Sequence, residues 1–371
     1  MGSSPVTFTN LTQKKYLIIV LYIYYKTPKM KDTSPKKRIQ FITCDRVKDA
    51  YGVTSGLFNS ASFVVNYLNE TDFEAKITPV VDSNHIDKIV TEFNPDVVII
   101  EAIWVPPAKF KELFQIQRHK NRRWIVRLHS KAPFLANEGV ATRWIKQYAS
   151  ITDLKIEIAP NTTELTQQLS YCFPEGKFIF LPNIYKAKPF TPEKHVKSDE
   201  YVDIGSFGAI RPMKNTYQQA MAAIEFAELI GKKLRFHING TRTEQSGDNA
   251  LRNIQALFEH SKHELVEHRW YKHAEFLEAA SKMDIGMQVS FSESFNIVTA
   301  DFVTAKVPIV ASDDISWMPW IMKVSPTSHE GIVRKLKLAY KYRGFITWLQ
   351  NFNLQIYNIK AKLVWLLNLK S

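Results

Sequence analysis

The chain has 371 residues, of which 45% are hydrophobic, with 8 Trp, 15 Tyr and 23 Phe. That is enough apolar material for two α/β domains, and it excludes disorder as a description of the whole chain. Residues 1–38 hold eight Lys/Arg against one Asp, and residues 320–371 hold nine against one Glu. The ends therefore carry +7 and +8 of a formal total of +13, leaving −2 for residues 39–319. A slightly acidic middle argues against a basic nucleic-acid groove in the domains. The basic ends leave open contact with a polyanion or an anionic membrane surface.

Residues 16–25 (YLIIVLYIYY) are apolar between Lys14–Lys15 and Lys26. Ten helical residues span about 15 Å, half a bilayer core, so this is no transmembrane segment. Met30 is an alternative start, just ahead of the first predicted strand, and residues 1–38 read as a basic extension. The two cysteines, Cys44 and Cys172, lack metal-ligand spacing and suit a reducing compartment.

From residue 39 the chain alternates short apolar runs with amphipathic helices, the pattern of stacked βαβ units. Residues 38–44 (RIQFITC) predict a strand, Gly52 to Gly56 a small-residue loop, and 57–68 a helix. The run 96–101 (DVVIIE) predicts a buried parallel strand. Residues 123–128 (RWIVRL) predict another, ending at His129, and 177–181 close this half before Pro182–Asn183. The stretch 186–199 has two prolines and many charges and reads as a linker.

The pattern then restarts, with strands predicted at 201–204, 233–238, 264–268, 285–289 and 308–311. Helices are predicted from about 216 and over 249–260, 274–281 and 294–305. Residues 330–371 read as helix, with the last part apolar on more than one face. Packing across both domains and lying on a membrane are the two readings of it. The expected organisation is thus a first domain over 39–190, a second over 200–330, and C-terminal helices over 331–371.

Two segments suggest chemistry. In 290–301 (SFSESFNIVTAD), Glu293 stands in the turn at a helix mouth and Asp301 lies eight residues later. The opening amides of such a helix, here those of Phe295, Asn296 and Ile297, form an anion seat. Glu293 stands beside it, placed to accept from sugar hydroxyls, and Asp301 is placed to meet ribose hydroxyls. In 205–215 (GSFGAIRPMKN), Gly208 permits close backbone approach, and Arg211 and Lys214 bring two cations to a helix start. Ordinary surface charges are the bland alternative for both. His263 and His268 are five apart, not the four of a zinc-protease helix. Asp313–Asp314 is an acid pair that could suggest a metal.

Together these segments resemble the large retaining glycosyltransferase family of GT-B fold, of the glycosyltransferase family 4 or group 1 type. That family carries a Glu, seven residues, Glu motif, matched here by ESFNIVTAD, and a Gly-rich turn with Arg and Lys, matched by GSFGAIRPMKN. Further matches are AKVPIVAS at 305–312, LPNIY at 181–185, NPDVVIIE at 94–101 and VRLHS with His129. Asp301 replaces the second Glu, Asn296 the usual Gly, and Gly52 and Gly56 stand apart rather than adjacent.

The resemblance implies an α/β protein of two Rossmann-like, doubly wound parallel-sheet domains facing a cleft. It implies transfer of a hexosyl or pentosyl group from a nucleotide-diphosphate sugar, with retention, without a catalytic metal and with no cofactor beyond that co-substrate. His129, Glu293, Arg211 and Lys214 would be catalytic. Gly52, Gly56, Gly208, Ser294, Phe295, Asn296 and Asp301 would join Arg211, Lys214 and Glu293 in holding the donor. A polysaccharide or glycolipid acceptor is expected, with a modified DNA base as the alternative. A GT-B epimerase or a non-catalytic nucleotide-sugar-binding module are the competing readings. A cytoplasmic location is expected, with peripheral contact at the inner face of a membrane left open.

Overall fold

The structure, a computed structural model, describes residues 35–44, 56–151, 156–187, 189–193 and 195–370. Gly52, the apolar run at 16–25 and Met30 lie outside the described residues.

The first sheet is built from β1 (Lys37–Cys44), β2 (Phe73–Val80), β3 (Val97–Glu101), β4 (Arg123–Leu128), β5 (Ile156–Pro160) and β6 (Lys177–Phe178). Its order is β2-β1-β3-β4-β5-β6, and the pairings are parallel. Every residue of β3 is buried, as a strand covered on both faces requires. The helices of this half are α1 (Gly56–Leu68), α2 (Ile86–Phe93), α3 (Pro107–Gln115), α4 (Gln117–Lys120), α5 (Ala132–Leu135), α6 (Ala141–Ser150) and α7 (Thr163–Cys172). The strand expected over 177–181 is short, but its hydrogen bonds run on, from Ile179 N–H to Ile158 and from Leu181 N–H to Pro160.

The second sheet comprises β7 (Tyr201–Gly205), β8 (Lys233–Ile238), β9 (Glu264–Glu267), β10 (Ile285–Gln288), β11 (Ile309–Ser312) and β12 (Lys323–Val324), ordered β12-β11-β10-β7-β8-β9. Numbered within the half, this is the doubly wound dinucleotide order 3-2-1-4-5-6. Its helices are α8 (Thr216–Leu229), α9 (Gly247–Phe258), α10 (His273–Ser281), α11 (Ile297–Thr304) and α12 (His329–Lys341). In both halves the chain reverses direction across the sheet, next to β1 in the first and next to β7 in the second. In open parallel sheets, ligands gather beyond the carboxyl ends of strands at such points.

Each half has its own apolar cluster. The last helix, α13 (Arg343–Lys370), joins them. Its Gln350 pairs with both backbone groups of Ile309 in the second sheet, at 3.2 and 2.6 Å. Its Trp365 donates to Pro182 O at 2.7 Å and packs on Phe41 of β1. Asn358 brackets Tyr185 through two 3.0 Å bonds. The C-terminal segment is therefore a strap across both domains rather than a separate unit.

Candidate functional site

The first-domain wall begins with Arg127, fully buried in β4. Its guanidinium reaches Glu101 at 3.1 and 3.3 Å, the carbonyls of Leu181 and Pro182, and Asn183 Oδ1 at 2.7 Å. A buried cation needs this many partners to offset its lost hydration. Glu101 Oε2 in turn makes a short hydrogen bond to His129 Nε2. Burial works against the charge on Glu101, but Arg127 and then His129 outweigh it and hold the carboxyl below the usual glutamate range. Burial, reinforced by Arg127, keeps His129 below its ordinary value. His129 is thus a neutral ring whose Nε2–H points at Glu101, which leaves Nδ1 as an acceptor.

The second-domain wall is the turn after β7. Gly208 has φ +122°, a conformation that favours glycine, and its N–H donates to Asn239 Oδ1 at 2.9 Å. Arg211 pairs with Glu244 at 3.2 Å and lies over the Phe134 ring of the other domain, 4.7 Å from its centroid. Lys214 and Glu293 form a tight ion pair. The two sequence segments that suggested chemistry therefore meet side by side.

The helix mouth differs from expectation. Helix α11 starts at Ile297, not 294, because Asn296 has φ +59° and cannot open a right-handed turn. Asn296 Oδ1 instead caps the helix, accepting from Thr299 N–H at 2.8 Å. The opening amides without an intrahelical acceptor are accordingly those of Ile297 and Val298. Phe295 does not face the cleft. It is buried against Tyr185, Trp317 and Tyr357. Ser294 Oγ donates to His129 O at 2.7 Å and accepts from Asn161 at 2.9 Å, so it ties the two domains together.

Asp301 is only 2% exposed and is already partnered. Tyr185 Oη donates to its Oδ1 at 2.6 Å, and His273 Nε2 lies 2.7 Å from the same oxygen. Burial pushes the carboxyl up, with His273 opposing. Burial works against the charge on His273, yet its hydrogen bond to the Asp301 carboxylate raises it overall. This is a more enclosed setting than the sequence reading expected.

A cleft of about 440 Å³ collects these groups. Gly56, His129, Gly208, Arg211, Lys214, Glu293, Ser294, Asn296 and Asp301 all line it, along with Ile297 and Val298. One end is aromatic, with Trp270, Tyr271 and Phe276, and Arg242 lies 4.3 Å over the Trp270 ring.

Among solved structures, the chain aligns with sucrose-phosphate synthase from Thermosynechococcus elongatus at 11% identity and TM-score 0.64, over 88% of this chain and 94% of that one. It aligns with a UDP-forming alpha,alpha-trehalose-phosphate synthase from Burkholderia xenovorans at 11% identity and TM-score 0.62, over 91% and 99%. An E. coli trehalose-6-phosphate structure bound with UDP-2-fluoro glucose aligns at 10% identity and TM-score 0.63, over 90% and 99%. The fold is GT-B. No family model and no curated protein sequence matches the chain.

Within this GT-B frame several site residues escaped the sequence reading. Glu101 closes an otherwise apolar strand, and a carboxylate at the end of a buried run was a visible signal. Lys131 and Asp314 pair across the domains at 2.6 Å, while Asp314 Oδ2 accepts from Glu293 N–H at 2.8 Å. The acid pair at 313–314 thus supplies a loop anchor. His263 bonds Leu234 N–H and Glu228, while His268 bonds His237 and Tyr271, so the two histidines share no site. Tyr185 and His273 carried no local signal, since each matters only through Asp301.

Proposed function

We propose that this protein is a glycosyltransferase that moves a sugar, with retention, from a nucleoside-diphosphate sugar to a hydroxyl acceptor. The observation that carries the proposal is the convergence of Arg211, Lys214, Glu293 and the opening amides of α11 on one interdomain cleft. Two fixed cations and a helix mouth suit a diphosphate, and they stabilise it further as negative charge grows on departure. The aromatic end with Arg242 suits a planar base.

Glu293, held by its backbone to Asp314, accepts hydrogen bonds from sugar hydroxyls once the diphosphate engages Lys214. His129 Nδ1 accepts another. Asp301 Oδ1 is occupied, so a ribose hydroxyl meets Oδ2. Glu101, the carboxylate beside His129, is enclosed by Arg127 and His129 and cannot act as a nucleophile. That supports a front-face displacement in which the leaving phosphate takes the acceptor proton. The neighbours' sugar-nucleotide and sugar-phosphate names favour a carbohydrate acceptor over a DNA base.

A thermal-shift screen of nucleotide sugars tests the donor. A donor at about 100 times its Kd stabilises the fold by about 2.7 kcal/mol. Glu293→Ala is expected to lower transfer by about a hundredfold or more while the protein still folds, with at most a modest fall in melting temperature from the lost pair with Lys214. Transfer at the wild-type rate in that variant rejects the site.

A further inference from the structure

Helix α13 has two apolar faces. Ile346, Leu354, Ala361, Trp365 and Leu369 are buried against the domains. At about 100° per residue, a second set lies on the opposite side: Phe345, Trp348, Phe352, Ile356, Ile359 and Leu367. These are 57, 60, 50, 37, 37 and 64% exposed. Phe345 to Ile359 recur at steps of three and four, and Leu367 follows eight residues on, so all six form a stripe on one outward face. The first three stack on one another, with ring centroids 6.1 and 5.7 Å apart. The outward face of a solvated helix is ordinarily polar, and an apolar patch of this extent marks an interaction surface.

A second observation says what covers it. A cleft of about 740 Å³ runs along one flank of the stripe, shares Trp348 with it, and is lined by Lys186, Lys306, Arg343 and Lys362. Lys186 is paired with Glu70 and Arg343 with Asp284, so the cations the cleft offers to an outside anion are Lys306 and Lys362. Residues 343–370 contain no Asp or Glu, and residues 320–371 carry a net +8. A second copy of this face would set like charges against it. A negatively charged surface fits.

We propose that α13 seats the protein on an anionic phospholipid bilayer, with the aromatic stripe in the interface and the cleft cations toward lipid phosphates. Among the described residues no helix is long and apolar enough to cross a membrane, and a helix with its other face in the protein core lies in the interface plane.

Sedimentation of the full chain with vesicles tests this, using phosphatidylcholine alone and phosphatidylcholine with about one-third phosphatidylglycerol. Binding is expected only to the anionic vesicles. Trp348→Glu combined with Phe352→Glu is expected to weaken it at least about tenfold, and so is Lys306→Glu combined with Lys362→Glu. The mutated aromatic side chains are exposed, so the melting temperature should not move. Three results overturn the proposal: no preference for anionic vesicles, wild-type binding by either double variant, or an oligomer that dissociates on Trp348→Glu/Phe352→Glu while vesicle affinity stays the same.

Discussion

At His129 and Glu101 a neutral ring, held so chiefly by burial, sits beside a charged carboxylate, and both are influenced by Arg127. Its buried charge keeps Glu101 ionised and discourages a proton on His129. Glu101→Gln removes the counter-ion of that buried guanidinium and is expected to cost about 3–5 kcal/mol near neutral pH, read by urea denaturation. Because Glu101 sits below its unfolded value, its contribution is present above the ordinary glutamate pKa. It is lost as pH falls through the folded one, so variant and wild-type stabilities should converge in acid. His268, next to His237, gives a second pH signature. Burial, with His237 adding to it, pushes His268 down to about 4. Between the ordinary imidazole range and that value only the unfolded chain binds the proton, so stability falls as pH drops through this window. His268→Gln should flatten that part of the denaturation profile.

The element that shapes the cleft is α11. The sequence reading placed its start at 294, just after Glu293 in the entrance turn. Asn296 overrides that placement. Its left-handed backbone ends the preceding turn, and its side chain caps the helix while donating to Gln288 at 2.9 Å. The position is one where the resembled family carries Gly, and Asn is among the few other residues that tolerate φ > 0. Asn296→Ala loses the cap and keeps the strained φ, an expected cost of about 2 kcal/mol. Asn296→Gly loses the cap but relieves the strain and should cost less. Equilibrium denaturation of the two variants checks the order, and equal losses would show that φ contributes nothing.

At the scale of the whole molecule, a cleft between two sheets performs its task only while their relative placement holds. Three ties set it: Lys131 with Asp314, the Ser294 bridge to His129 and Asn161, and the α13 strap. The Lys131–Asp314 pair and the Ser294 bridge are a few polar contacts at part-buried sites, whereas the strap supplies a long run of buried contacts, so it carries most of the load. Trp365, fully buried, packs on Phe41 and on the Arg127 guanidinium. Trp365→Ala is expected to cost about 3–5 kcal/mol and to weaken donor affinity as the first-domain wall loosens. Unchanged nucleotide affinity with lowered stability would show that the strap serves folding alone.

Local chemistry in the chain determined a good deal. Apolar runs and helix periodicity were enough to place most strands of both halves, and motif order was enough to assign the GT-B architecture. Arg211, Lys214 and Glu293 were named from their own turns, and His129, at a strand end, through the family resemblance. Tertiary structure decided the rest. The enclosure of Asp301 by Tyr185 and His273, the hold of Glu101 on His129, and the two faces of α13 all arise between residues far apart in sequence. Periodicity reports which side chains are apolar, whereas only packing decides which of two apolar faces finds a core and which is left facing out.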